Sequence, residues 1–388
     1  MNPIIKRLLP LFVANFFAGL MFHYSIAFPF FSSIGFDTNQ LASYAILTAV
    51  MVLLLEVPSG ILADRWSRKG TSMIALLFMI IGVLIIGSAD NFKVVMIGTV
   101  FAGIYFGMRS GMVEAMIYDL LLEHDQRKDY EKYVGMTRSI NTVGLVISSI
   151  VGAVIASTIN FSTPYYMSAV CAFLALLFLF KFKEPQLHRQ VETARLPEHI
   201  KDLFVALSRH AEVRLLVFTA IVVGILSSFM MEVDPLWPLA LGLATIWYGP
   251  LNAFLLSSQG IAGPLVSKIV NRNHIIQLVA FGMFLATIGL LVSNIWVIAL
   301  SQFTLLACAT SLTIILSGRI QDELPSSQRS GAESAISTFA TLSFLIILPI
   351  FSSIAQRSSI FTAAWLLVII AIIGFFGINR CFKTPSTK

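Results

Sequence analysis

Apolar runs of about twenty residues alternate with short polar intervals from one end of the chain to the other. An α-helix needs about 20 residues to cross roughly 30 Å of hydrocarbon. On that ruler the pattern predicts twelve spanning helices, at about 9–31, 40–62, 71–89, 94–117, 138–158, 162–181, 212–231, 240–262, 275–292, 295–317, 332–352 and 359–379. The expected fold class is an all-α polytopic membrane protein. The longest polar passage, residues 181–214, holds Pro185, Pro197 and seven basic residues. Six spans precede it and six follow, which predicts an N-terminal bundle over 1–182, a linker over 183–210 and a C-terminal bundle over 211–388. A helix expected at about 198–209 is read as lying on the anionic inner leaflet.

Composition strengthens this picture. The 388 residues are 57% hydrophobic and 12% charged, against about 25% charged in soluble domains. Mean hydropathy is +0.85. The three cysteines, Cys171, Cys308 and Cys381, sit in or at the end of apolar runs with no paired spacing and read as small hydrophobes. The first apolar run lacks a signal-peptidase site and reads as a retained span. With the N-terminus inside, all of the 26 basic residues except Lys93, Arg357 and the intramembrane Arg109 fall on the cytoplasmic side. Both termini are therefore expected in the cytoplasm. The net charge of +6 follows from this topology and implies no nucleic-acid partner.

GILADRWSRKG, residues 60–70, interrupts the pattern with four charges in six positions. It falls in the short loop between spans 2 and 3. Gly60 would let the end of span 2 approach a neighbouring helix. Asp64, one turn on, would cap the next turn or bind a basic group of another helix. Arg65, Arg68 and Lys69 would reach headgroups or carboxylates. A second stretch, GIAGPLVSKIV, begins at Gly260, 200 positions after Gly60 and also after the second span of its half, which suggests a repeat.

Span 4 carries Gly103, Gly107 and Gly111 at helical spacing, and span 5 a complementary series of Gly144, Ser148, Gly152 and Ala156; the two are expected to pair. Arg109 lies about ten residues from the end of span 4, roughly 15 Å deep. Such a charge faces a cavity or holds a structural ion pair. Glu114 is five residues later, off its face. Glu114, Asp119 and the similarly buried Glu56 form an acidic set in the cytoplasmic half, with Asp119 near enough to the interface to join Arg138 or the charged turn.

The pattern G-x-x-x-D-R-x-S-R-K resembles the signature loop between helices 2 and 3 of the major facilitator superfamily, with Ser67 where that family usually has glycine. The 6+6 arrangement fits the family over essentially the whole chain. The segments E-V-P-S-G and S-G-M-V-E-A-M-I-Y-D-L-L resemble a bacterial drug-efflux-like branch. The resemblance implies an alternating-access carrier in which Gly60, Asp64, Arg65, Arg68 and Lys69 form a conformational latch. It also implies a gating or proton-linked role for Glu114 and Asp119. If span 1 lines the cavity as in that family, Phe12, Asn15, Phe16, Gly19 and His23 form its inner stripe. Phe12, Asn15, Phe16, His23 and Arg109 are then the substrate-cavity candidates, and Glu56, Glu114 and Asp119 the coupling or gating candidates.

Elsewhere, Glu232 and Asp234 are expected at the outer end of span 7, solvated or attracting cations. Gly249-Pro250 should bend span 8, and Glu333 should open span 11. There is no G-x-S-x-G, H-E-x-x-H or phosphate-loop motif. His188, His199 and His210 lack ligand spacing, so no enzyme activity, cofactor or metal is expected. The main reading is proton-coupled export of a small amphipathic or hydrophobic solute from a bacterial inner membrane, by a monomer contacting lipids. The alternative is a proton-coupled importer of a sugar, peptide fragment or iron chelate. A receptor or scaffold that transports nothing is the reading from another class.

Overall fold

The computed structural model describes residues 3–185, 211–324 and 326–382, and every regular element among them is helical. The expected linker helix and His188, His199 and His210 lie outside the described residues. The described residues form two compact units, one from residues 3–36, 43–185 and 244–253, the other from 37–42, 211–243, 254–324 and 326–382.

The first part of the chain forms α1 (Pro3–Gly19), a short 3-10 turn (Tyr24–Ile26), α2 (Ala27–Ser33), α3 (Thr38–Arg65), α4 (Arg68–Gly87), α5 (Phe92–Arg109), α6 (Met112–Glu123), α7 (Tyr130–Thr158) and α8 (Ser162–Lys181). After residue 210 come α9 (Ala211–Glu232), α10 (Leu236–Ala240), α11 (Tyr248–Ile269), α12 (Asn273–Gly289), α13 (Ile295–Glu323), α14 (Ser326–Arg357), α15 (Ile360–Ala363) and α16 (Trp365–Cys381). Ten helical segments among the described residues are long and apolar enough to cross a membrane. The remaining two apolar runs fold as α11 and α12.

Small polar residues start several of these helices. Ser67 accepts from Gly70 N at 2.7 Å, Asn91 from Val94 N at 3.2 Å and Asn294 from Trp296 N at 2.9 Å. Each satisfies a backbone donor that a helix start leaves open. The helices often outrun their apolar stretches: α7 begins at Tyr130 and α13 continues to Glu323. Backbone hydrogen bonding continues through polar residues where the hydrophobic signal stops, so the apolar ruler set these ends short.

Two spans are broken. The first passes from α1 through the 3-10 turn into α2. The fourth stops at Arg109, and Gly111 takes a left-handed φ of +68° before α6 resumes. A conformation of that kind suits glycine, which has no Cβ to clash. Gly111 is therefore a hinge residue with open space around it, not the third member of a packing stripe.

The glycine stripes also choose different partners from those expected. A Cβ on Gly103 would lie 2.5 Å from Met51 Cβ, and one on Gly107 2.9 Å from Leu55 Cβ, so span 4 packs closely on α3. The series on α7 packs on span 1: a Cβ on Gly144 would lie 2.8 Å from Phe16 O, and one on Gly152 would run into the carbonyl of Phe22. A small-residue face records that a helix comes near, but not which one. Among the described residues nothing lies within 4 Å of a Cβ built on Gly60, so no described helix approaches it. Gly249 and Pro250 occupy the first turn of α11, so they stand where that helix begins and not within a span that runs from residue 240.

Within the first unit, α4 packs on α5 and α8, and α1 packs on α7 and α8. Within the second, α9 packs on α13, α14 and α16, and α12 on α13 and α16. Phe229 anchors this second core, with ring centroids 5.1 Å from Phe344 and 5.4 Å from Phe351.

Candidate functional site

The charged turn is the corner between α3 and α4, and its charges bind the ends of two other helices. Arg68 Nη1 lies 2.8 Å from Asp119 Oδ2 on α6 and donates to Ala115 O at 3.0 Å. Its Nη2 reaches Asp64 Oδ1 at 3.2 Å. The two acids differ in setting: the Asp119 side chain is 8% exposed and that of Asp64 47%. Lys69 Nζ donates to Phe180 O at 2.8 Å and sits over the Phe180 ring. Arg65 is exposed and forms no ion pair among the described residues.

Glu184, just past α8, completes the corner and was not singled out from the sequence. Its Oε2 accepts from Ser67 Oγ at 2.5 Å, and its Oε1 accepts from Arg68 N at 2.8 Å and Lys69 N at 3.3 Å. A carboxylate over the open N–H groups of a helix start is favoured by both hydrogen bonding and the helix dipole. The signal was present, an acid between Lys183 and Pro185 at the end of an apolar run, but its partner lay over a hundred residues away.

Asp119 therefore joins the charged turn, and Arg138 instead pairs with Glu114 at 3.3 Å. Glu56 differs from the expectation of burial. It is exposed on α3, because a position on a lipid-length helix does not fix which way its face turns.

Arg109 ends α5 at the break in span 4 and is half-buried. Its guanidinium donates to Tyr105 Oη and Asn15 Oδ1, and no carboxylate pairs with it among the described residues. Asn15 is oriented in turn, donating through Nδ2 to Thr137 O at 2.9 Å, while its own carbonyl accepts from Asn141 Nδ2 at 3.0 Å. Asn15 and Arg109 line a small cavity of about 20 Å³ together with Ser72, whose buried Oγ has no hydrogen-bond partner among the described residues. That volume suits about one water molecule. The cluster is a positive charge held by neutral dipoles, able to accept a polar or anionic group.

The other members of the span 1 stripe do not line this cavity. Phe12 is buried and Phe16 half-buried. Gly19 packs against Asn141. His23 is buried against α8, its Nδ1 2.9 Å from Ser168 Oγ and its ring centroid 4.9 Å from that of Tyr165. α1 ends at Gly19, four residues before His23, so the helical spacing that would have put His23 in line with Asn15 does not reach it.

In the second unit Asp234 is buried, 9% exposed, contrary to the expectation of a solvated acid. The chain between α9 and α10 folds inward there, a turn the hydropathy pattern does not mark. Glu333 lies inside α14, not at its start, and accepts from Ser317 Oγ and from Gln321 Nε2 at 3.2 Å.

The profile of the Major Facilitator Superfamily matches residues 11–318. An uncharacterized transporter of Buchnera aphidicola subsp. Schizaphis graminum is 27% identical over 128 residues, which are 33% of this chain and 31% of the relative. The class H tetracycline resistance protein of Pasteurella multocida is 25% identical over 160 residues, 41% of this chain and 38% of the relative. The matched stretches thus span only about a third of the length of these relatives. Solved structures with the same fold include the nucleoside transporter NupG, with a TM-score of 0.77, 13% identity, and coverage of 99% of this chain and 100% of that one. They also include a D-xylose–proton symporter, with a TM-score of 0.72, 16% identity, and coverage of 98% and 99%.

Proposed function

Because this chain belongs to the Major Facilitator Superfamily, a family of transport proteins and not enzymes, we propose that it is a secondary active carrier that takes up a small polar solute together with protons. It is a multi-pass protein of the bacterial cytoplasmic membrane. On this reading twelve spans form two six-helix bundles that alternate access, with both termini cytoplasmic and the monomer as the working unit. The observation that carries the choice of solute is the Arg109–Asn15–Tyr105 cluster, which offers polar, hydrogen-bonding groups in place of a wholly aromatic wall. The likeness in fold to a nucleoside transporter and a D-xylose–proton symporter supports the same choice.

Phe12, Phe16 and His23 are proposed to support the solute site through packing. The corner of Gly60, Asp64, Arg65, Arg68 and Lys69 is proposed as the latch, with Asp119 as its buried counter-charge. Glu114 with Arg138 is a gate pair, and Glu56 is held as a peripheral gating candidate. The sequence resemblance to a drug-efflux-like branch and the likeness to a tetracycline resistance protein favour a second reading, proton-coupled export of an amphipathic solute.

Purified protein in liposomes with an imposed proton gradient separates the two. Labelled nucleosides, pentoses and organic anions are expected to accumulate on the side the protons enter. Accumulation of amphipathic cations against the proton flow, with no movement of polar solutes, would replace import by export. No movement of any solute would count against both.

A further inference from the structure

Two aspartates are buried among the described residues, Asp119 and Asp234. Asp119 has Arg68 at 2.8 Å. Asp234 has no ion pair among the described residues, nor has its half-buried neighbour Glu232. Water and counter-charge stabilise a carboxylate, and burial without a cation withdraws most of the first and all of the second.

The surroundings sharpen this. Asp234 follows the last turn of α9, and α13, α14 and α16 pack against that helix. Arg319, Asp322 and Glu323 of α13 lie about 25 Å or more along the helix from Gln302, at 1.5 Å per residue. Arg380 lies near the far end of α9, where Gly377 packs on Thr219. Arg357 of α14 is exposed, and Glu333 is bonded to α13. The packed α10 and α15 carry no charged residue. None of these groups neutralises Asp234.

A second observation points into the same place. Gln302 is fully buried, and its Nε2 donates to the backbone carbonyl of Asp234 at 2.9 Å. That carbonyl only accepts, so the amide orientation is fixed by its partner. The other amide atom, Oε1, is then left buried with no donor among the described residues. An orphan acceptor beside an uncompensated acid is a place short of one positive charge or one proton.

We propose that Asp234, with Glu232 and Gln302 Oε1, forms a monovalent-cation site in the second unit that binds the coupling ion, a proton or an alkali cation. This deepens the coupled-transport reading above and rests on it. Protonated, Asp234 is a neutral acid at no electrostatic cost. Once ionised in another conformation, it must meet water or a cation. Both Glu114 and Asp119 already hold arginines, and Asp234 does not.

The test is made on the full chain in lipid and needs no solute. Infrared difference spectra between acid and alkaline pH are expected to show a carboxylic-acid C=O band. Isotope labelling at the aspartate carboxyl should shift that band, and Asp234→Asn should abolish it. Gln302→Leu, which removes the acceptor, should move it. Sodium at fixed pH and ionic strength, against choline, separates the two ions: loss of the band with proton release marks an alkali-cation site, and no change marks a proton site. Either result supports the proposal.

An aspartate-labelled wild-type spectrum without a titrating band, and indifferent to sodium, overturns it even if Asp234→Asn does not fold. Transport keeps the two readings apart. If wild type and Asp234→Asn both accumulate solute under a proton gradient, the carrier reading stands and this site falls. If the band is present but no solute moves in liposomes, the carrier reading falls instead.

Discussion

Arg68 Nη1 sits 2.8 Å from Asp119 Oδ2, tying the start of α4 to α6 through a carboxylate that is almost wholly shielded from solvent. The same guanidinium meets Asp64 at 3.2 Å in the open. An exposed ion pair contributes about 0.2–1 kcal/mol, whereas removing one partner of a buried pair costs about 3–5 kcal/mol. Asp119→Asn is therefore expected to lower thermal stability and transport together, and Asp64→Asn to change stability little. Melting and initial transport rates at matched abundance check this. Equal losses in both variants would show that burial does not rank the two acids. Arg68→Lys should resemble Asp119→Asn more than Asp64→Asn, because an ammonium cannot reach Asp119, Ala115 O and Asp64 with one planar fork.

Gly152 and Gly60 separate packing from motion. A methyl at Gly152 would run into the Phe22 carbonyl, a backbone atom with no rotamer to yield. Overpacking of this kind costs about 1–3 kcal/mol or more, so Gly152→Ala should melt earlier. Gly60 lies within α3 with open space beyond its Cα. Gly60→Ala should be neutral or stabilise by roughly 0.5–1 kcal/mol. If that stable variant transports poorly, another conformation brings a helix against Gly60. Normal transport would remove it from the latch.

These two glycines also mark what the chain discloses in one dimension. Apolar runs located the helices because hydrocarbon imposes length and composition. They did not disclose Gly111, whose positive φ breaks span 4, since glycine serves a packed face and a left-handed turn equally well. The charged corner was legible as a cluster, while Glu184 was not, because a helix start can recruit its acid from anywhere in the chain. Arg109 was legible as a deep charge. Its neutral partner Tyr105 stands one turn earlier on the same helix, at a spacing the chain shows, whereas Asn15 follows from the meeting of α1 and α5, which no spacing within one helix reveals.

His23 Nδ1 lies 2.9 Å from Ser168 Oγ, and with Ser168 Oγ donating to Pro164 O at 2.8 Å the hydrogen between them is assigned to Nδ1. His23→Asn, whose amide nitrogen can occupy the Nδ1 position, should retain most of the stability. His23→Leu should lose about 1–3 kcal/mol by leaving Ser168 with an empty acceptor. Thermal melting of the two variants decides it. Indifference to both would mean that the α1–α8 contact is carried by the rings alone.

Arg109 has polar partners but no counter-ion among the described residues. If a solute supplies the compensating group, Arg109→Ala should fold, since Asn15 keeps Thr137 and Asn141 and water can enter the adjoining cavity. Losing a charge-assisted hydrogen bond costs about 1.5–3 kcal/mol, or roughly 10-fold to 100-fold in the affinity of an acidic solute. Neutral solutes should lose less. Arg109→Lys should recover part of the acidic preference, because it restores the charge without the two-pronged donor set. Arg109→Cys, made with Cys171, Cys308 and Cys381 replaced by serine, adds a measure of access. A water-soluble thiol reagent should label it, and solute should slow that labelling. An active variant that resists labelling throughout the transport cycle would place Arg109 in a sealed helix contact. Equal loss of acidic and neutral solutes would then make its role the joining of α1 to α5.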